Sequence, residues 1–251
     1  MSDPRPARLA AGLTEAQRHA VLTDAAPLCV LAGAGSGKTT VLTRRVARRV
    51  LDGSASAERT MVVTFTRKAA DELRTRLRRL EVPGRVWAGT FHAAAFGQLR
   101  RHRADRGMAA PVLLDDPARL LRDRAVSGRD LDPTQLAAVV GEVQWAQSRL
   151  LGPARYAAAA SAARRRVPLA HEEVAACYGR YLEAKRTRGV VDLGDLLVEA
   201  ARILEEDAQA ADALRWRIRH LYVDEFQDVN PAQFRLLRAW LGARQDLFVV
   251  G

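Results

Sequence analysis

Directly after an apolar run, Leu28 to Leu31, the sequence reads AGAGSGKTT from Ala32 to Thr40. Glycines at 33, 35 and 37 let a backbone curl so that successive N–H groups face one point, and a helix opening at Lys38 adds its positive end. Ala32, Gly33, Ala34, Gly35, Ser36, Gly37, Lys38, Thr39 and Thr40 are therefore the candidate phosphate-binding residues, with Ala32 standing where the strict pattern has its first glycine. Lys38 would neutralise the β- and γ-phosphates of ATP, and Thr39 would offer its hydroxyl to magnesium. Such a site needs a carboxylate to hold the metal and a base to orient water, and LYVDEFQD at 221–228 supplies Asp224 and Glu225 for these roles. Lys38, Asp224 and Glu225 form the candidate catalytic set. The alternative is that Asp224, Glu225 and Asp228 cap a helix starting near Pro231.

These groups need a scaffold. Short apolar runs at Leu28 to Leu31, Met61 to Phe65, Arg85 to Ala88, Leu221 to Val223 and Leu247 to Val250 read as buried parallel strands. Helical segments follow the first three, Lys38 to Leu51 and Arg67 to Leu80 among them, which is the grammar of an α/β core. From about 93 to 220 the pattern is helix after helix, with Leu136, Val139, Val140, Val143, Ala146 and Leu150 on one face and breakers at Pro111, Pro117, Pro133, Pro153 and Pro168. The segment Tyr156 to Ala163 ends in Arg164, Arg165 and Arg166, which either complement the helix dipole or touch DNA.

The 251 residues carry a formal net charge of +11, and the 40-residue stretch from Arg67 to Arg106 holds eleven Lys or Arg against four Asp or Glu. Such a concentration favours a polyanionic partner, nucleic acid first. Cys29 and Cys177 have no zinc spacing and read as small core residues. An N-terminal apolar leader and an 18-residue apolar span are both lacking, so a cytoplasmic setting is expected.

Five stretches in order resemble the UvrD, PcrA and Rep group of superfamily 1 DNA helicases: LTEAQ at 13–17, AGAGSGKTT at 32–40, VTFTRKAADELRTRL at 63–77, GTFHA at 89–93 and VDEFQDVN at 223–230. VDLGDLL at 191–197 is similar to a further helix of that family, and GTFHAAAFGQLR with WAQSRLLGPARY looks closest to its second UvrD-type branch in actinobacteria. The resemblance implies a RecA-like P-loop NTPase sheet, truncated at its C-terminal end, over 13–92 and 191–251, an all-helical insertion over 93–190 and a flexible tail over 1–12. It also implies an ATP-dependent 3′ to 5′ helicase acting in DNA repair on single-stranded DNA and on junctions with a 3′ tail. Gln17 would recognise adenine. Thr64, Phe65, Thr66, Arg67, Thr90, Phe91 and His92 would line the strand groove, as suits a translocator that stacks bases and grips phosphates; core packing is the alternative for Phe65 and Phe91.

Arg67 departs from the family's usual Asn, which exchanges a specific hydrogen bond for a plain phosphate contact. The sequence reaches FVVG at 248–251, where the family's next motif would begin, and the second motor lobe with its arginine finger is expected in cis or in trans. Two rival functions stay open: a non-catalytic module that binds ATP and DNA, and the motor arm of a helicase-nuclease.

Overall fold

A computed structural model of the chain describes residues 9–33 and 35–251. In chain order the elements are α1 (Glu15–Leu22), β1 (Leu28–Val30), α2 (Lys38–Leu51), β2 (Thr60–Thr64), α3 (Arg67–Arg79), β3 (Trp87–Thr90) and α4 (Phe91–Ala104). There follow β4 (Val112–Leu113), α5 (Pro117–Leu121), α6 (Arg124–Ser127), α7 (Pro133–Ser148), α8 (Pro153–Ala162), α9 (His171–Arg188) and β5 (Val190–Val191). The last are α10 (Leu193–Glu206), α11 (Ala208–Arg217), β6 (His220–Val223), α12 (Pro231–Leu241) and β7 (Leu247–Val250). Two compact units result: the chain up to Ala94 with Ile203–Val229 and Leu237–Gly251, and Ala95–Arg202 with Asn230–Leu236.

The first unit is an α/β layer built on a five-stranded sheet of order β1-β7-β6-β2-β3, in which all paired strands are parallel. Every strand therefore ends on the same edge of the sheet, where ligands meet such folds. Helix α2 buries Val41, Leu42 and Val46 against Tyr222, Phe248 and Val250 of the strands, and α3 adds Leu73 and Leu77 at helical spacing. Strand β3 lies two residues later than its local pattern suggests, because pairing from Met61↔Trp87 to Thr64↔Thr90 sets its bounds. Gly89 sits inside it, where a Cβ would strike the Trp87 ring. Cys29 is exposed, contrary to expectation, because β1 is an edge strand; Cys177 is buried. Of the expected tail, residues 1–8 lie outside the described residues, whereas Leu9 is buried and order begins before Leu13.

The second unit is helical, with a core of Leu136, Val139, Val143 and Ala146 against Tyr156, Val174 and Tyr181. The sequence pattern held no strand here, yet β4 and β5 pair in parallel over two residues each, too short to leave a periodicity. Pro117, Pro133 and Pro153 each open a helix. Arg165 lies beyond the end of α8 and turns to the buried Glu142, its Nε 2.7 and 2.8 Å from the two carboxylate oxygens. No described helix is long and apolar enough to cross a membrane.

Back in the first unit, Asp246 joins three elements at the opposite, amino-terminal edge of the sheet. Arg49 of α2 donates to both its oxygens at 2.8 and 3.0 Å, and His220 Nδ1 lies 2.7 Å from Oδ2. Bonds from His220 and Arg49 outweigh the burial penalty and hold this carboxyl well below the usual range. A depressed carboxyl contributes stability that is complete above the unfolded value of 3.8 and is lost as pH falls below it. Asp246→Asn should therefore cost about 2 kcal/mol at pH 7. Urea unfolding of parent and variant should show that difference shrinking steadily from pH 4 to pH 2.

Candidate nucleotide and strand site

The loop after β1 is anchored at its start by Ala32 N, which donates to Gly251 O at 2.8 Å. Ala34 lies outside the described residues. Gly35 and Gly37 take left-handed φ values of 76° and 84°, which side chains rarely adopt, and they turn the chain sharply into α2. No side chain caps the start of α2, so its first N–H groups face the loop without a side-chain partner there. Gln17 braces the loop from α1: Nε2 donates to Ser36 O at 2.8 Å while Oε1 accepts from Thr14 N at 3.0 Å. Thr40, the last residue of the loop pattern, accepts from Arg76 Nη1 at 3.1 Å, a contact across 36 residues that no local pattern announces.

The carboxylates arrive on β6. Asp224 N donates to Val63 O at 3.0 Å, extending the β6–β2 ladder one residue beyond the strand and carrying the side chain to a place where it is 3% exposed. Its Oδ2 accepts from Thr39 Oγ1 at 3.3 Å, and its buried Oδ1 has no partner among the described residues. Burial above all, then the charge of Glu225, pushes this carboxyl up. Glu225 adopts φ 52°, ψ 47°, a left-handed conformation costly for a residue with a Cβ. Gln227 Nε2 donates to Glu225 Oε2 at 2.7 Å and Lys38 Nζ lies 3.1 Å from the same oxygen, which together hold Glu225 below the usual range. Two adjacent carboxyls are thus driven apart, one toward holding a proton and one toward charge. Neither caps α12: Asn230 Oδ1 accepts from Gln233 N at 2.9 Å, and Gln233 Oε1 accepts from Asn230 N at 3.0 Å. Gln227 carried no signal in the sequence, since glutamine two residues past a glutamate is commonplace.

The tips of β2 and β3 lie side by side, with Thr64 opposite Thr90. Thr64 is 1% exposed and Phe91 is 1% exposed, stacked on Trp240 at 5.8 Å, so both side chains belong to the core and offer no face to a ligand. Phe65 is half-buried and tilted against Phe91 at 6.0 Å. The Thr66 hydroxyl accepts from Ala69 N at 3.1 Å, and the Thr90 hydroxyl accepts from Ala93 N at 3.1 Å, opening α3 and α4. Arg67 is exposed, and burial pushes the half-buried His92 down, toward its neutral form.

Residues 13–251 match the family model for the UvrD/REP helicase N-terminal domain. ATP-dependent DNA helicase UvrD2 of Mycobacterium tuberculosis is 43% identical over 100% of this chain and 37% of its own length. ATP-dependent DNA helicase PcrA of Leuconostoc citreum is 35% identical over 96% of this chain and 32% of its own, and ATP-dependent DNA helicase UvrD1 of Mycobacterium leprae is 35% identical over 94% and 31%. The chain therefore spans about a third of the length of these relatives.

The loop geometry makes a direct prediction. A Cβ at Gly37 would meet Gln17 Nε2 at 3.2 Å as well as a forbidden φ, whereas one at Gly33 would meet nothing within 4 Å. Gly37→Ala should cost about 1 to 2 kcal/mol in urea unfolding, and Gly33→Ala, its control, should leave the midpoint unchanged.

Proposed function

The chain belongs to the UvrD/REP helicase family, and on that footing we propose that it is the ATP-binding front half of a motor that moves 3′ to 5′ along single-stranded DNA. One observation carries this reading: a glycine loop with an uncapped helix start lies beside a buried carboxylate whose Oδ1 lacks a partner among the described residues. Magnesium fits that donor set. Thr39 and Asp224 offer hard oxygens, and no group of three metal-binding side chains exists among the described residues, which suits an ion that keeps waters and binds phosphate oxygens.

Bound magnesium-ATP would supply the reactive phosphate and a cation against its developing charge. The loop backbone at Ala32, Gly33 and Gly35 to Thr40 cradles the phosphates, Gln17 reads the adenine, and Lys38 exchanges Glu225 for phosphate oxygens. Freed of Lys38 but still held by Gln227, Glu225 is ionised and placed to orient the attacking water. Arg67 and the polar tips Thr66, Thr90 and His92 grip the strand, with Phe65 at its bases. The setting is cytoplasmic DNA repair on junctions with a 3′ tail, with a second motor lobe in cis or in trans. Hydrolysis by these 251 residues alone is slow, because the cation that meets the γ-phosphate comes from that lobe and contributes about 10³ to 10⁵ in rate.

Lys38→Ala should lower magnesium-ATP affinity about tenfold to a hundredfold, the worth of one charge-assisted contact, while Glu225→Gln should bind as the parent does and lose any turnover. Titration calorimetry and phosphate release separate these effects, and unchanged affinity in the Lys38 variant would refute the loop assignment. In fluorescence titrations at graded salt, Arg67→Ala should flatten the salt dependence of single-strand binding by about one phosphate contact. A parent chain with no salt dependence would refute the basic strand face.

A further inference from the structure

Two adjacent arginines of α2, outside both the loop and the carboxylate pair, hold the helix that carries Gln17 from its two ends. Arg44 Nη1 donates to Leu9 O at 3.1 Å and to Ala11 O at 2.7 Å, in the segment that enters α1. Arg45, 1% exposed, donates through Nη1 to Ala20 O and Thr23 O, both at 2.7 Å, and through Nη2 to Ala25 O at 2.9 Å, at the end of α1 and in the segment that leaves it. Its guanidinium also lies over the Phe248 ring, 4.9 Å from the centroid. These hydrogen bonds all go to carbonyls. A cation buried on carbonyls alone is costly, and the rigid fork of a guanidinium is what meets three of them at once where the negative end of a helix favours it.

At the opposite end of this eight-residue helix, the Gln17 amide is already engaged on both sides, with Thr14 N and with Ser36 O. One N–H and one lone pair remain. That pair matches the N6/N7 edge of adenine, whereas the O6/N7 edge of guanine would set a lone pair against a lone pair. A short helix moves as a body, so its setting against α2 decides where the remaining N–H and lone pair point.

We propose that Arg44 and Arg45 are positioning residues for base selection: they clamp α1 to the loop helix and so fix Gln17 for adenine without touching the phosphates. The proposal rests on the nucleotide reading above. It predicts a split that a merely structural role would not produce, in which base preference falls while phosphate affinity stays.

The test measures binding of ATP, GTP and inorganic tripolyphosphate, each with magnesium, to the 251-residue chain and to Arg45→Lys, Arg44→Gln, Gln17→Ala and the Arg45→Lys/Gln17→Ala pair. The parent should prefer ATP to GTP about tenfold, the order of one bidentate base contact. Both arginine variants should lose most of that preference while holding tripolyphosphate within about twofold, and the double variant should be no worse than Gln17→Ala, as expected of residues acting through one group. Arg44 contacts a less buried segment, so Arg44→Gln decides the matter should Arg45→Lys fail to fold. A parent that prefers ATP while Arg44→Gln keeps the full preference overturns the proposal alone. So does an equal loss for all three ligands, or additive losses in the double variant. A parent that binds tripolyphosphate without preferring ATP overturns base reading by Gln17 and the proposal with it. A parent that binds none of the three overturns the nucleotide reading as well.

Discussion

A carboxylate taken out of water at the end of a central strand is the constraint around which the first unit is arranged. Asp224 is buried where β6 continues alongside β2, one oxygen on the Thr39 hydroxyl and the other without a partner among the described residues. Ionised burial of that kind is unfavourable unless a cation compensates it. The surroundings supply part of the compensation through the nearby charge of Lys38, and Glu225 opposes it. Glu225, whose backbone takes a left-handed turn, has its own partners in Lys38 and Gln227.

Helix α2 is the element through which the rest is held. Its apolar face, Val41, Leu42 and Val46, packs on the sheet, and its arginines reach in different directions. Arg44 and Arg45 take carbonyls on either side of α1, and Arg49 takes Asp246 at the far end of the strands. Its first turn carries Lys38 and Thr39 to the carboxylates. One helix thereby joins the loop, the base-reading helix and the sheet, which is why residues remote from the phosphates can influence what is bound there.

Much of this was legible in the sequence because it is local. The loop, the two carboxylates and the helices after β1 and β2 each announce themselves within a dozen residues, through glycine spacing, apolar runs and helical periodicity. What the sequence hid is long-range. Arg76 on Thr40 and Arg45 on three carbonyls join segments far apart in the chain, and a lone arginine carries no sign of its destination. The late start of β3 follows from its register with β2, and the brief pairing of β4 with β5 is too short to show a period. Phe91 illustrates a different limit: a phenylalanine at a strand end suits a base or a core equally, and only its stacking on Trp240 decides for the core.

Strand β7 stands between β1, which launches the loop, and β6, which delivers the carboxylates. The two halves of the site are therefore two interstrand spacings apart, roughly 10 Å, a width fixed by backbone hydrogen bonding rather than by any side chain. The loop and the start of α2 cross part of it, and side chains cover the rest. The long arms of Lys38 and Glu225 meet across that gap, whereas Asp224 is short and depends on α2 to bring Thr39 to it. Width quantised in strands leaves side-chain length as the remaining means of adjustment, and its smallest increment is a single methylene.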